Sequence, residues 1–399
     1  MSDTPLRLGV LGLGRAFTLM VPTFQRDPRL RLVAAADPRR SALEQFERDF
    51  GGVAYPGAEE LCADPNVEAV YVATPHQMHV EHVCLAARNG KHVLVEKPMA
   101  ITIGQCTRMI QAADENGVFL IIGHSHSFNT PVLHARRLIE AGTYGSVRMI
   151  NAINYTDFLY RPRRPEELRT DQGGGVVFSQ AAHQIDIVRL LGGGLVRQVR
   201  ALTGAWDPAR PTEGAYAALL QFANGAFAST VYSGYAHYDT DELLDNIGEM
   251  GRPKSPDTYG RARKRLLLGI PPDEEARLKA EANYGGSQYA GPSPVAPYHQ
   301  HFGHIVVSCD HADLRITPQG VVIYGDTEKH FEFLPAPEVP RVEVIDELWN
   351  AVRLGTYPVH NGRWSRATVE VCLAILESAR AGRDMILEHQ VSAEPVTRA

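Results

Sequence analysis

The sequence lacks the features that mark membrane-bound, secreted and nucleic-acid-binding proteins. No apolar run reaches the roughly 18 residues that a membrane span needs, and residues 1–5 do not show the basic-then-apolar pattern of a signal peptide. Basic residues are not in excess, since 40 Lys and Arg stand against 46 Asp and Glu for a net charge of −6, whereas phosphate binding needs a basic face. We therefore expect a cytoplasmic protein with neither a membrane nor a nucleic-acid partner.

Cysteine is scarce and unpatterned. The chain has 5 cysteines, an odd number, and no two of them form a CxxC pair. A disulfide framework or a cysteine-rich zinc site would need paired spacings. We expect reduced, mostly buried thiols at Cys62, Cys84, Cys106, Cys309 and Cys372.

The chain of 399 residues is longer than a typical single domain, which favours two domains. Its first part alternates short apolar runs with amphipathic stretches, the pattern of βαβ units in a parallel sheet. The fold class is therefore α/β, with a Rossmann-type, doubly wound parallel sheet in a domain over residues 1–126. The predicted strands are 6–11, 30–36, 69–73, 92–95 and 118–122, and the predicted helices are 15–26, 39–49, 80–88 and 103–115.

The rest of the chain is richer in strand patterns. We predict a C-terminal α+β domain over residues 127–399, with a large, open, mostly antiparallel sheet; turn dipeptides such as Asn224-Gly225 indicate hairpins. Residues 240–297 carry many Gly, Pro and charged residues, and we interpret them as a long excursion with one short helix. The predicted strands are 147–155, 196–203, 215–222, 226–232, 305–308, 313–316 and 321–324, and the predicted helices are 131–141, 179–191, 273–282, 342–354 and 365–381.

A glycine-rich turn follows the first predicted strand, with the sequence Gly12-Leu13-Gly14-Arg15-Ala16-Phe17. Gly12 permits a tight turn, and Gly14 lets the backbone approach a pyrophosphate at the positive end of the next helix. Phe17 replaces the small residue usual at the third position, which predicts a helix slightly farther from the sheet. The candidate pyrophosphate-binding residues are Gly12, Gly14, Arg15 and Ala16.

Asp37 ends the second predicted strand, about twenty residues after the turn. A carboxylate there accepts hydrogen bonds from both ribose hydroxyls and repels a 2′-phosphate, so we expect NAD rather than NADP. Arg39 is a further candidate for the adenosine side, where it would stack on adenine or reach a 2′-phosphate.

Four short motifs lie beyond the turn. They are Thr74-Pro75-His76-Gln77-Met78-His79, Glu96-Lys97-Pro98, Gly123-His124-Ser125-His126-Ser127-Phe128, and Gly173-Gly174-Gly175 before His183 and Asp186. A lysine at the carboxyl end of a strand in such a sheet points into the crevice where ligands bind. In this order the motifs resemble the glucose-fructose oxidoreductase/inositol dehydrogenase (Gfo/Idh/MocA) family over almost the whole chain.

The resemblance implies an NAD-dependent dehydrogenase and gives roles to residues by position. Lys97 matches the catalytic lysine beside the nicotinamide, His183 the histidine that exchanges a proton with the reacting oxygen, and Asp186 a substrate-facing acid. Ser179 and Ser127 stand where the family often has Asp and Arg, so the second acid of the usual site is missing. The expected residues of the nicotinamide side are Thr74, Pro75, His79, Glu96, Lys97 and Pro98. We expect His124 and His126 to hydrogen-bond substrate hydroxyls or a neighbouring subunit's loop.

These residue types also suit the chemistry of alcohol oxidation, apart from any resemblance. Hydride leaves carbon for the cofactor, and the hydroxyl proton needs an acceptor, for which imidazole titrates in the right range. Lys97 could relay that proton or stabilise the developing oxyanion. From the residues alone, the favoured interpretation of His183 is a core histidine, and Asp186 could cap or pair.

Arginines crowd the loop before the triple glycine. Since a guanidinium binds carboxylate bidentately, Arg161, Arg163 and Arg164 favour an anionic substrate; a solvated basic turn paired with Glu166 and Glu167 is an equal alternative. The segment over residues 303–325 resembles the family branch that contains phthalate 4,5-cis-dihydrodiol dehydrogenase, whose members oxidise carboxylated cis-dihydrodiols to catechols.

Other functions remain open at this point. They are a sugar or inositol dehydrogenase of the same fold, a glycosidase that retains and recycles NAD, and a non-catalytic NAD-binding protein. His299, His301 and His304 could bind zinc, but no cysteine or clear acid completes the set, so we predict no metal. The resemblance implies a homodimer or homotetramer through the open sheet.

Overall fold

The computed structural model describes residues 4–123, 126–269 and 271–393. The chain forms two compact units: the first comprises Met1–Gly123, Glu274–Val295 and Glu338–Arg366, and the second comprises His124–Asp273, Ala296–Pro337 and Ala367–Ala399. Two later segments, Glu274–Val295 and Glu338–Arg366, thus belong with the amino-terminal unit. A division into two contiguous domains at residue 126 leaves these segments out of that unit. Hydrogen bonds far apart in sequence hold both segments in the amino-terminal unit, from Tyr284 N to Thr18 Oγ1 and from Thr23 Oγ1 to Pro340 O.

A parallel six-stranded sheet forms the centre of the first unit, in the order β3-β2-β1-β4-β5-β6. This confirms the predicted doubly wound sheet. The order reverses between β1 and β4, so the ligand crevice of such a sheet lies at the carboxyl ends of these strands. The strands are β1 (Leu6–Leu11), β2 (Leu30–Ala36), β3 (Val53–Tyr55), β4 (Ala69–Val72), β5 (His92–Glu96) and β6 (Leu120–Gly123).

Most helices of the described residues follow the predicted apolar periodicity, but two short ones, Ala58–Ala63 and Arg261–Leu266, were not predicted, so the 240–297 excursion holds two helices rather than one. Both Arg15–Arg26 and Ile103–Glu115 begin and end where the pattern predicts, and Gly90 and Gly117, which follow helices, take left-handed φ values of 70° and 64°. The helices are α1 (Arg15–Arg26), α2 (Arg40–Phe50), α3 (Ala58–Ala63), α4 (His79–Arg88), α5 (Ile103–Glu115), α6 (Thr130–Glu140), α7 (Ala182–Gly192), α8 (Arg261–Leu266), α9 (Pro272–Glu281), α10 (Val342–Leu354) and α11 (Gly362–Ala381).

A nine-stranded sheet forms the second unit, in the order β16-β15-β14-β13-β7-β10-β9-β8-β17. Its neighbours are antiparallel except for the parallel pair β7 and β10, and the predicted hairpin at Asn224-Gly225 joins β9 to β10. The strands are β7 (Val147–Tyr155), β8 (Val196–Gly204), β9 (Ala215–Phe222), β10 (Phe227–Ser233), β13 (His304–Cys309), β14 (Ala312–Thr317), β15 (Gly320–Gly325), β16 (Lys329–Phe333) and β17 (Met385–Ile386), with a separate small hairpin of β11 (Ile247–Gly248) and β12 (Arg252–Pro253).

The two faces of the large sheet differ. Helices α6 and α7 pack on one face. On the other, large apolar side chains are exposed, with Leu202 at 68%, Leu219 at 55% and Phe227 at 47%. The predicted open sheet is therefore present.

The structure also bears on the state of the cysteines and on membrane-spanning helices. The five cysteines are free thiols, as predicted. Among the residues that the structure describes, no helix is both long and apolar enough to cross a membrane.

Candidate active site

The glycine turn after β1 has the geometry that a dinucleotide needs. Gly12 has a φ of 90°, and a Cβ there would lie 2.9 Å from the backbone of Ala73, so only glycine fits. A Cβ on Gly14 would meet open space, and no side chain caps the first turn of α1. Backbone N–H groups at this helix start are therefore available to a pyrophosphate, which fits NAD.

Phe17, the unusual third residue of the turn motif, is fully buried in an aromatic cluster. Its ring makes an edge contact with Tyr284 at 5.0 Å between centroids and packs on Phe24 at 5.9 Å. Tyr284 also donates its hydroxyl to Asp49 Oδ2 at 2.7 Å. The larger residue thus accommodates a segment of the 240–297 excursion that packs on α1 and α2.

Asp37 directly follows β2 and accepts hydrogen bonds from the protein on both oxygens. Leu13 N donates to Oδ2 at 2.7 Å, and Arg39 donates its backbone N–H and its Nε to Oδ1 at 2.8 and 3.0 Å. The guanidinium of Arg39 also donates to Leu13 O and to Tyr284 O. Arg39 is thereby held against Asp37, which favours the expected preference for NAD, because a 2′-phosphate would have to displace these bonds.

The loops after β4 and β5 are tied together by His79. This buried ring lies with Nε2 3.0 Å from Thr74 O and Nδ1 3.1 Å from Pro98 O. Burial lowers the pKa of His79 to about 4, so the ring is neutral at neutral pH. The structure gives His79 a clear part in positioning the loop that carries Lys97, while its predicted place beside the nicotinamide stays a prediction.

Lys97 directly follows β5, at the carboxyl edge of the sheet where the motif predicts it. It is partly exposed, and the Lys97–Pro98 peptide is cis. The preceding Glu96 turns toward the sheet, where its Oε1 accepts a 2.6 Å hydrogen bond from the buried Tyr71 hydroxyl. Glu96 therefore anchors the end of the strand, and Pro75, in the neighbouring loop, is exposed.

An imidazole cluster occupies the second unit. The ring edge of His126 packs against His183 at 4.7 Å between centroids, and Phe302 contacts both rings at 5.1 and 5.0 Å. His183 lies on α7, just after a π-helical turn over Val177–Ala181, a distortion frequent at functional sites. Two of the predicted site histidines are thus brought together; the third, His124, lies outside the described residues.

Glu249 joins this cluster and was not foreseen from the sequence. Its Oε1 lies 3.2 Å from His126 Nε2. Burial alone would raise the pKa of Glu249, but the hydrogen bond from His126 and the positive charge of Arg161 outweigh burial and lower the pKa. The residue sits between β11 and β12 in the excursion, where no local pattern indicates a site.

Asp186 faces a buried polar network. Its side chain is inaccessible to solvent, and Oδ1 accepts a 2.6 Å hydrogen bond from Thr368 Oγ1, which also accepts from Arg189 at 2.7 Å. The charge of Asp186 offsets that of the buried Arg189, which is the pairing alternative that the sequence left open. The substrate-facing role of Asp186 stays a prediction.

The arginines of the loop before the triple glycine differ in their partners. Arg164 pairs with Glu166 at 3.1 Å, which is the solvated-turn alternative. Arg163 instead lies 3.6 Å above the Phe158 ring and donates to Phe158 O, and burial lowers its pKa to about 10. Burial opposes the charge of Arg161, but Glu249 and Asp157 outweigh it and raise the pKa of Arg161.

The distal histidines bind backbone groups of their own chain. His301 Nε2 donates to Ile247 O at 2.9 Å while its Nδ1 accepts from Gly303 N at 3.2 Å, and His299 Nε2 lies 3.1 Å from Leu334 O. Within the described part of the chain, no group of three or more His, Cys, Asp or Glu side chains could hold a metal ion. His301 instead anchors the hairpin that carries Glu249.

Family models of known proteins match parts of both units. Residues 6–124 match the family model described as oxidoreductase family, NAD-binding Rossmann fold, and residues 132–252 match the GFO/IDH/MocA C-terminal domain. The chain is 48% identical over 377 residues to 1-carboxy-3-chloro-3,4-dihydroxycyclohexa-1,5-diene dehydrogenase of Comamonas testosteroni, covering 94% of this chain and 95% of that one.

Two further relatives extend this comparison. A crystal structure of a dehydrogenase from Bordetella bronchiseptica RB50 superposes with a TM-score of 0.89 at 40% identity, covering 96% of this chain and all of the other. Myo-inositol 2-dehydrogenase of Thermotoga maritima is 28% identical over 62% of this chain and 74% of its own. On these matches the protein is an NAD-binding oxidoreductase and belongs to the Gfo/Idh/MocA family.

Proposed function

We propose that the enzyme oxidises a carboxylated cis-dihydrodiol of the cyclohexadiene type and passes the hydride to NAD. The observation that carries this is the 48% identity, over 94% of the chain, to a dehydrogenase named for a carboxylated dihydroxycyclohexadiene. Loss of hydride from carbon and of a proton from its hydroxyl gives a ketone, which tautomerises to an aromatic catechol. Rearomatisation makes the step strongly downhill, so the site can function with few acid–base groups.

The roles of the site residues follow from this chemistry. NAD, when bound, supplies the hydride acceptor. We propose that His183 takes the proton of the reacting hydroxyl and that the ammonium of Lys97 stabilises the alkoxide that develops.

A screen by NADH absorbance tests the proposal with purified protein and NAD. The panel contains carboxylated cis-dihydrodiols, the same diols without the carboxylate, inositols and aldoses. We expect kcat/KM to be about tenfold to a hundredfold higher with the carboxylate, the range that a charge-assisted hydrogen bond supplies. A preference for inositols would instead support the alternative function, a sugar or inositol dehydrogenase. The similarity to myo-inositol 2-dehydrogenase favours that alternative.

Arg163 and Arg161 are the proposed carboxylate ligands. Both are cations in the electrostatic environment of Tyr232, whose ring stacks on Phe302 at 6.1 Å beside the imidazole cluster. Arg161 Nε pairs with Asp157 Oδ1 at 3.0 Å, and Arg164 Nε pairs with Glu166 Oε1 at 3.1 Å. Arg163 packs on the Phe158 ring and donates to a backbone carbonyl, so it is the first of the three to test.

Replacing Arg163 by Met is expected to raise KM about tenfold to a hundredfold for the carboxylated diol and to leave the uncarboxylated diol unchanged, since Met keeps the stem volume and removes the charge. Arg164→Met is the matched control and should alter both KM values by less than about twofold, since exposed pairs contribute little. Steady-state kinetics on both substrates measure this. An equal rise for both diols with Arg163→Met would remove the carboxylate argument.

We also propose a cytoplasmic homo-oligomer joined through the open face of the large sheet. The exposed Leu202, Leu219 and Phe227 on that face support it, because monomers rarely leave such contiguous apolar surface uncovered. Five free thiols suit a reducing compartment. Sedimentation velocity measures the assembly, and a monomer at micromolar concentration would contradict it.

A further inference from the structure

Three side chains of the second unit contact one another in turn: Glu249, His126 and His183. The carboxylate of Glu249 contacts His126 Nε2 at 3.2 Å, and the ring of His126 in turn packs edge-on against His183. Phe302 closes the apolar side of both imidazoles. One ring, that of His126, thus lies between Glu249 and His183.

The backbone around Glu249 is fixed. His301 donates its backbone N–H to Glu249 O at 3.1 Å and its Nε2 to Ile247 O at 2.9 Å. Gly251 has a φ of 72°, and a Cβ there would lie 2.2 Å from Tyr298 O, so the hairpin approaches residues 298–301 as closely as glycine permits. Such anchoring is what a carboxylate needs in order to orient a neighbouring ring.

The protonation pattern of His126 follows from its two neighbours. Asn129 Nδ2 lies 3.4 Å from Nδ1 and donates to Gln300 O at 2.8 Å. Since an amide nitrogen is a donor, Nδ1 faces it as an acceptor, and the N–H stands at Nε2, directed at Glu249. Both nitrogens of His126 are thus engaged by the protein, which leaves a direct bond to substrate to other groups.

We propose that Glu249 is a positioning residue for the reaction: through His126 it fixes the orientation of His183 and places a negative charge beside the pair. This rests on the proposed role of His183 as the proton acceptor. Ser179, one helical turn before His183, brings no charge, so the carboxylate comes from the excursion instead. The charged and titratable groups that face this carboxylate are His126, His301, Arg161 and Tyr232.

Glu249→Gln tests the proposal by a pH profile of kcat/KM for diol oxidation. We expect kcat to fall about tenfold to a hundredfold, less than for a carboxylate bonded directly to the catalytic histidine, with the Kd for NAD unchanged. The acidic limb should move to lower pH by about half a unit to one unit, because the lost negative charge favoured the protonated imidazoles. Glu249→Asp keeps the charge and should return the limb to within about 0.2 unit of the parent enzyme.

Glu242→Gln is the matched control, since Glu242 is an exposed carboxylate on the same excursion; it should leave kcat and the profile unchanged. A parent-like kcat and acidic limb in Glu249→Gln would overturn the proposal, as would equal shifts in the Gln and Asp variants, which would indicate packing rather than charge. Loss of the acidic limb in Glu249→Gln with a normal limb in His183→Asn would instead refute the proposed function of His183.

Discussion

Lys97→Ala is expected to lower kcat for diol oxidation by about a thousandfold, within the range for losing one acid–base or oxyanion-stabilising group. The Kd for NAD should stay within about twofold, because the glycine turn and Asp37 that would hold the pyrophosphate and ribose lie on other loops. Stopped-flow or steady-state NADH formation gives kcat, and quenching of intrinsic fluorescence gives the Kd. Parent-like turnover would refute the catalytic role.

Lys91 provides the matched control, because it flanks the other end of β5. Its Nζ donates to Asp64 O and Val67 O, both at 2.8 Å, and it is buried. Lys91→Met should therefore lower the free energy of unfolding by about 1–3 kcal/mol, the cost of leaving such acceptors unpaired, and keep kcat near that of the parent. If both variants lost turnover equally, the defect would be in the fold of this strand and not in the chemistry.

Lys97→Arg separates the two functions proposed for the amine. Arginine keeps the positive charge, but it does not deprotonate in proteins. If the ammonium acts only by stabilising the alkoxide, part of the turnover should return; if it relays a proton, turnover should stay as low as in Lys97→Ala. The same kinetic assay distinguishes the two results.

The first unit could be predicted well because its signals are local. Apolar runs bounded by turn residues give β1 and β2 their limits, and the glycine turn lies where the strand pattern places it. The short β3, Val53–Tyr55, escaped prediction since three half-exposed edge residues leave no pattern to read. The same holds for β17, which is defined only by its pairing with β8.

The second unit shows where sequence reasoning stops. Glu249 reaches His126 across 123 positions of the chain, through a hairpin anchored by His301. No spacing rule connects such residues, because the contact depends on how the excursion folds back. The spacing of the three distal histidines does not reveal what they bind, and two of them lie against backbone carbonyls of their own chain.

Asp186 illustrates a different limit. Its position three residues after His183 places both on one side of a helix, which suggested a shared site. Every residue of α7 is buried, however, so each side of the helix meets protein. Helical spacing then says which residues are neighbours on the helix but not what each one contacts. Thr368 donates to one oxygen of Asp186, and the shared site with His183 stays a prediction.

His183→Asn should lower kcat about a hundredfold to ten-thousandfold, the usual effect of removing a general base. It should also abolish the acidic limb of the kcat/KM profile, since the parent rate falls at low pH as the imidazole takes up a proton and asparagine does not titrate. His126 and Phe302 pack around the ring, so an asparagine of similar polarity leaves a small gap and should preserve the fold.

His311→Asn is the control for this experiment, because His311 is exposed in the same unit and pairs only loosely, at 3.2 Å, with the exposed Asp326. It should leave both kcat and the acidic limb unchanged. Retention of that limb in His183→Asn, with kcat reduced, would assign the titrating base to another group and leave His183 a packing residue. Retention of both would remove the imidazole from the reaction, and with it the reason for a carboxylate at residue 249.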